Sequence, residues 1–382
     1  MRTYITGGMI LTPEVSLSGK TLVVEDHKIL AIDSGEIYPT GSDKVIEAHG
    51  DWITPGLIDI HVHGAIGFDT MDSTPEAISA MGNFFARHGV TGFLPTTISA
   101  PAEEISKSIG MVAAYRQPGS GSQCLGIHLE GPYLNPAHRG AQPENKLRDA
   151  EPSEYEAWIG SGVVKLVSIA PERRGALSFI QRGVERDIEF AVAHSGATYA
   201  QVTQAADYGL RQATHTFNGM QGLHHREPGT VGAILTDDRI YAQIIADGVH
   251  VHPAVVELLV RAKGAGLTIL ITDAIRAVGL EDGEYTLGKE TIFVKDGISR
   301  TAAGGLAGST LTMDAAVRNM IAFSGLSFKE VLPMATSTPA RAMGWHGRKG
   351  AIAPGADADI VIFDRDLQVR LTMVAGKVVY QR

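Results

Sequence analysis

The chain has 382 residues, of which 44% are hydrophobic and 20% charged, a balance typical of a globular protein with one large domain and a small one. Its formal net charge of -9 argues against a protein that binds nucleic acid or a membrane surface. The single cysteine, Cys124, excludes an intramolecular disulfide, and no apolar run reaches the roughly 18 residues of a membrane-spanning helix. The start Met1-Arg2-Thr3-Tyr4 lacks the apolar core of a signal peptide, so we expect a cytoplasmic protein.

Both ends of the chain carry short β-type runs separated by turn signals. Such runs occupy 21–24 and 29–32 near the start and 358–364 near the end. Either piece alone would form a marginal sheet, so we predict that the two ends pair into one small, discontinuous β-sandwich domain. The predicted boundaries are 1–53 for the first part of the sandwich, 54–343 for the catalytic domain between its parts, and 344–382 for the second part.

Between the two ends, strand-like apolar runs alternate with helical patterns, which indicates an α/β parallel sheet with crossover helices. The predicted strands are 57–63, 92–97, 124–130, 163–170, 188–194, 212–217, 241–247 and 267–273. Eight strand-helix units in a segment of this length favour a (β/α)8 TIM-type barrel. A doubly wound open sheet is the alternative.

Side chains that commonly bind metal ions lie where several of these strands end. His61 and His63 are two residues apart in the first strand, so they point to the same side and can present two imidazoles to one ion. Four further candidates end later strands: Glu130, His194, His215 and Asp273. Because the carboxyl ends of barrel strands meet at one mouth, the pattern predicts a metal-dependent hydrolase with a carboxylate-bridged two-metal site.

Several motifs resemble the amidohydrolase superfamily, and more closely its N-acetylglucosamine-6-phosphate deacetylases. The resemblance covers nearly the whole chain. The run 55–64 and the aspartate after the eighth strand are general to the superfamily, whereas His128-Leu129-Glu130-Gly131-Pro132 is more specific to the deacetylases. The other motifs that carry the resemblance are 193–195, 214–220, 224–229, 246–250, 272–274 and 306–309.

This resemblance implies a set of metal ligands. Glu130, His194 and His215 would bind the catalytic metal, and Glu130 would bridge to a second ion held by His61 and His63. Neutral imidazoles and a carboxylate suit zinc or ferrous iron, so we expect a divalent metal, Zn or Fe(II), with one or two ions per subunit. A bound divalent ion lowers the pKa of a water from about 15.7 to about 7, which supplies a nucleophile at neutral pH.

Asp273 would be the catalytic acid and base. It would take a proton from the attacking water and pass it to the departing sugar amine, releasing acetate and an amino-sugar phosphate. Two neighbours of the ligands have predicted supporting roles. His128 and Asp59 each lie two residues before a candidate ligand, and we expect them to orient ligands rather than to bind the metal.

The resemblance also implies contacts with an amino-sugar phosphate substrate. The guanidinium of Arg226 can hold a phosphate through paired charge-assisted hydrogen bonds, with His225 beside it. In this family the histidine at the position of His250, and sometimes the arginine, comes from a neighbouring subunit, which implies a homodimer. The implied substrate-binding residues are Ala141, Gln142, Asn218, Gly219, His225, Arg226, His250, Leu306, Ala307 and Gly308.

The chain departs from the family pattern at Gln142, where many relatives carry a histidine that helps to polarise the substrate carbonyl. A glutamine can still donate a hydrogen bond, but it cannot carry a titrating proton. More of the oxyanion stabilisation would then fall on the metal.

Three other functions compete with this interpretation. An N-acetylgalactosamine-6-phosphate deacetylase would act on a substrate that differs only in the orientation of one hydroxyl. A cyclic-amide or N-acyl-amino-acid hydrolase on the same barrel would commonly use a carbamylated lysine at the mouth of strand four, whereas Lys165 lies near the start of that strand. A barrel that had lost its ions could persist as a structural or interaction protein, but all the candidate ligands are retained.

Overall fold

Eight parallel strands, taken in chain order, form the central sheet of the protein. The computed structural model describes residues 1–12, 15–33, 39–116 and 119–382. The central strands are Leu57–Val62, Val90–Thr97, Ile127–Glu130, Val164–Ile169, Glu189–Val192, Gln212–Ala213, Tyr241–Ile245 and Thr268–Ile271. Each pairs in parallel with the next strand along the chain. We call them barrel strands 1 to 8, and they confirm the predicted α/β barrel.

The ends of barrel strands 1 and 8 meet and bring the sheet back on itself. The backbone N–H of Asp273 donates to the carbonyl of His61 at 3.0 Å, and the N–H of His63 donates to the carbonyl of Ala274 at 2.8 Å. Buried Asp59 adds a side-chain link, because its Oδ2 accepts a hydrogen bond from Thr272 Oγ1 at 2.6 Å. The residues that end the first and last strands therefore lie side by side at the barrel mouth.

Helices connect the strands and cover the outside of the sheet. The first helix, Pro75–Arg87, illustrates why they form here. Thr74 caps it by accepting a hydrogen bond from the N–H of Ala77, Pro75 occupies its first turn, and Ile78 lies on its buried face. The remaining α-helices are Ala102–Ala114, Pro152–Ile159, Ala176–Val184, Tyr199–Asp207, Gly229–Thr236, Pro253–Lys263, Met313–Ser324, Phe328–Val331 and Ser337–Ala342. Short 3₁₀ turns occupy Thr70–Asp72, Pro136–His138, Glu144–Lys146 and Leu332–Ala335.

Two further sheets form the predicted β-sandwich from both chain ends. In the six-stranded sheet the strand order is Lys377–Gln381, Val369–Val374, Ile360–Phe363, Trp52–Pro55, Met9–Leu11 and Ser16–Leu17. In the four-stranded sheet the order is Lys28–Asp33, Thr21–Glu25, Arg2–Thr6 and Lys44–Glu47. A separate apolar cluster that includes Ile5, Ile53 and Ile360 fills the space between them. The discontinuous sandwich is confirmed, whereas the domain boundaries 1–53, 54–343 and 344–382 stay a prediction.

An antiparallel sheet that was not predicted from the sequence lies beside the barrel mouth. It consists of Gly283–Leu287, Glu290–Lys295 and Ile298–Thr301, inserted between barrel strand 8 and the helix Met313–Ser324. Its buried residues Leu287 and Ile292 pack with Ile98 and Ile275 in a small apolar cluster. The remaining strands are the pair Gly64–Ala65 and Phe68–Asp69, and Gln123–Cys124, which joins barrel strand 2. Among the helices in the described ranges, none combines the length and apolarity needed to cross a membrane.

Candidate metal centre

Six acidic and histidine side chains converge at the carboxyl ends of five barrel strands. Two groups can each hold a metal ion, and within each group the potential ligand atoms lie within 4.8 Å of one another. His61, His63 and Asp273 form group 1, and Glu130, His194 and His215 form group 2. All six residues are at most 7% exposed. The structure therefore brings together every residue that the sequence predicted as a metal ligand, and Asp273 with them.

Glu130 lies between the two groups and faces both. Its Oε1 atom is 3.2 Å from His194 Nε2 and 3.0 Å from His215 Nε2. Its Oε2 atom is 3.3 Å from His63 Nε2, which belongs to group 1. One carboxylate therefore has an oxygen directed at each group, which is the arrangement needed for a shared ligand.

Asp273 faces the two histidines of barrel strand 1. Its Oδ1 atom is 3.3 Å from His61 Nε2 and 3.2 Å from His63 Nε2. These two ring nitrogens also lie only 3.2 Å apart. Three polar atoms from three residues therefore point at one small volume.

Three of the six residues have a left-handed backbone, each two positions after the last residue of its strand. The φ angles are 44° at His194, 31° at His215 and 52° at Asp273. Residues other than glycine rarely adopt this conformation, and such strain concentrates at functional sites. Because the backbone turns sharply at these residues, their side chains enter the mouth instead of continuing the alternation of the strand.

The hydrogen bonds of the ring nitrogens are those expected around a cation. His194 Nδ1 lies 2.9 Å from the carbonyl oxygen of His138, and His63 Nδ1 lies 3.2 Å from that of Thr96. A carbonyl only accepts, so each Nδ1 carries a proton, and each Nε2 atom faces a carboxylate from which a proton or a cation must separate it. Lone pairs facing one another without a proton or cation between them repel, so the donor set of imidazoles and carboxylates fits a divalent ion.

Burial and the neighbouring charges change the pKa values of these groups in consistent directions. Burial alone raises the pKa of the Glu130 carboxyl, but the facing imidazoles of His61, His194 and His215 outweigh it and hold that pKa well below its usual range. Burial lowers the pKa of His63, but the hydrogen bonds of its ring to Asp273 and Glu130 raise it well above its usual value. A proton on His63 therefore supplies positive charge that an ion would otherwise supply.

The two predicted supporting residues lie behind the candidate ligands. The ring of His128 stands edge-on to His61 with centroids 4.8 Å apart, and its Nε2 is 2.8 Å from Ser168 Oγ. Burial and the nearby His61 lower the pKa of His128, so its ring stays neutral. Asp59 contacts the backbone N–H of His61 at 3.2 Å, so it fixes the strand and not the imidazole. Burial raises the pKa of Asp59 to about 6.

Gln142 reaches Glu130 directly. Its Oε1 accepts a hydrogen bond from the backbone N–H of Ser99 at 2.8 Å, and its Nε2 donates to Glu130 Oε2 at 2.6 Å. Because the N–H of Ser99 can only donate, the amide oxygen must face Ser99 and the amide nitrogen must face Glu130. Gln142 is thus held against a metal-ligand candidate.

A cavity of about 240 Å³ opens directly over the two groups. Seven of the residues predicted to bind substrate line it: Ala141, Gln142, Asn218, Gly219, His250, Leu306 and Gly308. His250 is fixed there because its Nδ1 lies 2.6 Å from Asp247 Oδ2. Gly140 and Leu287 also line the cavity and were not among the residues predicted to bind substrate. Leu287 comes from the inserted sheet, and its apolar side chain offers no signal of a binding role.

Three predicted substrate residues lie elsewhere in the described chain. Ala307 is fully buried in the apolar cluster under the inserted sheet, so its side chain does not face the cavity. His225 and Arg226 lie on the exposed part of the loop after barrel strand 6, where Arg226 Nη1 is 2.6 Å from His225 Nε2. The described chain alone does not bring these two side chains to the cavity wall, and their roles stay predictions.

Comparisons with known proteins agree with this architecture. The model of the amidohydrolase family matches residues 52–379. An N-acetylgalactosamine-6-phosphate deacetylase of Escherichia coli O157:H7 is 40% identical over 371 residues, which are 96% of this chain and 97% of that protein. An N-acetylglucosamine-6-phosphate deacetylase of Vibrio furnissii is 40% identical over 331 residues, 86% of this chain and 83% of its own length.

A solved structure has the same fold over the whole chain. It is an N-acetyl-D-glucosamine-6-phosphate deacetylase variant from Mycobacterium smegmatis in complex with N-acetyl-D-glucosamine-6-phosphate. The two chains are 33% identical, the structural alignment covers 100% of each chain, and the TM-score is 0.92. The chain belongs to the amidohydrolase family and, within it, to the N-acetylglucosamine-6-phosphate deacetylases.

Proposed function

We propose that this protein hydrolyses the N-acetyl group of N-acetyl-D-glucosamine 6-phosphate to D-glucosamine 6-phosphate and acetate. The observation that carries the proposal is the pair of ligand groups that share Glu130 at the mouth of the barrel, with Asp273 beside them and a cavity above. The substrate is supported by relatives of that name and by the solved complex of one of them with this sugar phosphate.

The proposed cofactor is a divalent metal, Zn or Fe(II), with one or two ions per subunit. Group 2 would hold the first ion and group 1 the second, with Glu130 shared between them. When bound, such an ion polarises the amide carbonyl and lowers the pKa of water. Oxygen and imidazole nitrogen ligands suit both metals, and the ionised state of Glu130 that its lowered pKa favours is the state that binds cations.

Asp273 moves the proton in this proposal. As the water attacks the acetamide carbonyl, a carboxylate oxygen of Asp273 accepts its proton. When the carbon–nitrogen bond breaks, the same carboxyl returns that proton to the sugar nitrogen, which leaves as a neutral amine. Its pKa is low, because the neighbouring His61 and His63 outweigh the effect of burial, so the carboxyl starts ionised and can act as the base.

The remaining residues would hold the sugar phosphate. Asn218, Gly219 and His250 line the cavity next to the ligand groups and can contact the sugar. Arg226, with His225 beside it, would bind the phosphate through charge-assisted hydrogen bonds. Both are exposed in the single chain, which supports a homodimer in which the two subunits complete the phosphate end together. We place this amino-sugar metabolism in the cytoplasm.

The galactose epimer is the second candidate substrate. The observation that favours it is the 40% identity to the Escherichia coli N-acetylgalactosamine-6-phosphate deacetylase over 96% of this chain. The two substrates share the acetamide and the phosphate, so both would use the same ligand groups. Discrimination would depend on contacts with one sugar hydroxyl.

Acetate release from a panel of sugars tests the proposal. The panel contains both 6-phosphates and unphosphorylated N-acetylglucosamine, each assayed with chelated protein and after adding back zinc or ferrous iron. We expect metal-dependent release with preference for the phosphorylated glucose form. Preference for the galactose epimer would change the assigned substrate to N-acetylgalactosamine 6-phosphate. No release with any metal would reject the deacetylase proposal.

A further inference from the structure

Gln142 forms a fixed link between the loop after barrel strand 3 and the ligand Glu130. The residue is only 4% exposed. One end of its amide is anchored by the backbone N–H of Ser99, and the other donates to Glu130 Oε2 at 2.6 Å. A hydrogen bond to a charged group is stronger than one between neutral groups, so this one can select one orientation of the carboxylate.

The orientation that Gln142 selects decides which group each oxygen of Glu130 serves. Oε1 faces His194 and His215 of group 2, and Oε2 faces His63 of group 1. A carboxylate can give both oxygens to one ion or one oxygen to each of two ions. By holding Oε2 on the side of group 1, the amide of Gln142 opposes the rotation that would turn both oxygens towards group 2.

We propose that Gln142 is a positioning residue that makes Glu130 share its oxygens between the two groups and so sets the affinity of group 1 for a second divalent ion. The inference rests on the metal-dependent function proposed above. It gives Gln142 a role separate from contact with the substrate carbonyl. Since an amide does not titrate between pH 5 and 9, this restraint on Glu130 persists across the working range of a hydrolase.

The test measures metal binding and not only activity. Gln142→Met keeps the length of the side chain and removes the donor, and Gln142→Leu is a second variant without a donor. Gln204→Met is the matched control, because Gln204 is exposed on the helix Tyr199–Asp207. Metal-stripped proteins are dialysed against buffered free zinc over a range of concentrations, and the bound zinc per chain gives two dissociation constants. Thermal unfolding of each stripped protein confirms that it is folded.

We expect the wild type and Gln204→Met to bind two ions. In a folded Gln142 variant, the second dissociation constant should rise at least about 10-fold while the first changes less than about 3-fold, the loss that removal of a partner behind a metal ligand typically causes. Equal changes in both constants, or no change, would overturn the inference, as would a single ion in the wild type. Failure of the wild type to bind any zinc would instead reject the proposed function.

Discussion

The Nδ1 atom of His194 lies 2.9 Å from the carbonyl oxygen of His138, and this contact sets the protonation of a candidate ligand. Because the carbonyl accepts a hydrogen bond from Nδ1–H, it is Nε2 that faces Glu130 and can offer its lone pair to a metal ion. Gly219 makes the contact possible. A Cβ atom at this position would lie 2.7 Å from His194 Nδ1 and 2.9 Å from the His138 oxygen, and its φ of +62° is itself unfavourable for other residues.

We predict that Gly219→Ala will weaken metal binding by about 10- to 100-fold, because the added methyl group displaces the His194 ring or the His138 carbonyl. Equilibrium dialysis with zinc measures this change. Gly222→Ala is the control, since a Cβ there meets no heavy atom of the described chain within 4 Å. Unchanged zinc affinity in Gly219→Ala would show that the His138 contact does not orient the ligand.

Asp273→Asn tests the proton-transfer assignment. Asparagine has nearly the same shape, but it cannot accept the proton of the attacking water. We expect turnover to fall by at least about 100-fold, while the ion held by group 2 is retained. Acetate release and metal content are measured on the same sample. Full activity in this variant would reject Asp273 as the acid and base.

Arg226→Met tests the phosphate contact. Loss of a charge-assisted hydrogen bond should raise KM for the phosphorylated sugar by about 10- to 100-fold and leave the unphosphorylated sugar almost unaffected. Arg348→Met is the matched control, because Arg348 is also exposed. Steady-state kinetics with both sugars separate the two effects. An equal rise in KM for both sugars would show that Arg226 does not bind the phosphate.

Glu189, the first residue of barrel strand 5, gives a prediction about stability. Burial raises the pKa of its carboxyl to about 7, against a partial lowering by Arg211. Because the pKa is higher in the folded state than in the unfolded state, folding favours the protonated acid. The contribution of the protonated carboxyl to the free energy of unfolding is therefore fully present below about pH 4.5 and is lost as the pH rises through about 7. Glu189→Gln should therefore increase the free energy of unfolding at pH 8 by about 1 to 3 kcal/mol.

Urea unfolding of the stripped proteins at pH 5 and pH 8 measures this difference. The gain over the wild type should be several-fold smaller at pH 5, where the wild-type carboxyl is protonated in the folded state. A gain of the same size at both values would show that the effect does not come from ionisation of Glu189.

The sequence predicted the barrel and its ligand candidates because both have local signals. Apolar runs of strand length that end in histidine or acid are visible without knowledge of the tertiary structure. The ends of strands 5 and 6 were less visible: the predictions ran to 194 and 217, whereas the strands end at Val192 and Ala213. The left-handed backbone of His194 and His215 ends the extended conformation, and nothing in the local pattern requires that turn.

Other features depend on distant contacts and could not be read from local sequence. The inserted sheet places Leu287 in the cavity wall. Its strands are short, and their sequence alone does not distinguish them from those of an exposed hairpin. Ala307 lies in the chain between Leu306 and Gly308, which both line the cavity, yet its own side chain packs in an apolar cluster. The bond between Gln142 and Glu130 joins residues 12 positions apart, and only the folded loop shows that the amide nitrogen faces the carboxylate.

Acetate release by metal-stripped and reloaded protein tests the central claim most directly. Wild type and Glu130→Gln are stripped with a chelator and assayed with N-acetyl-D-glucosamine 6-phosphate before and after adding zinc or ferrous iron. We predict that the stripped wild type is inactive, that metal restores it, and that Glu130→Gln stays inactive because the shared ligand is lost. Full acetate release by the stripped protein, or by reloaded Glu130→Gln, would contradict a metal-dependent hydrolase built around this carboxylate.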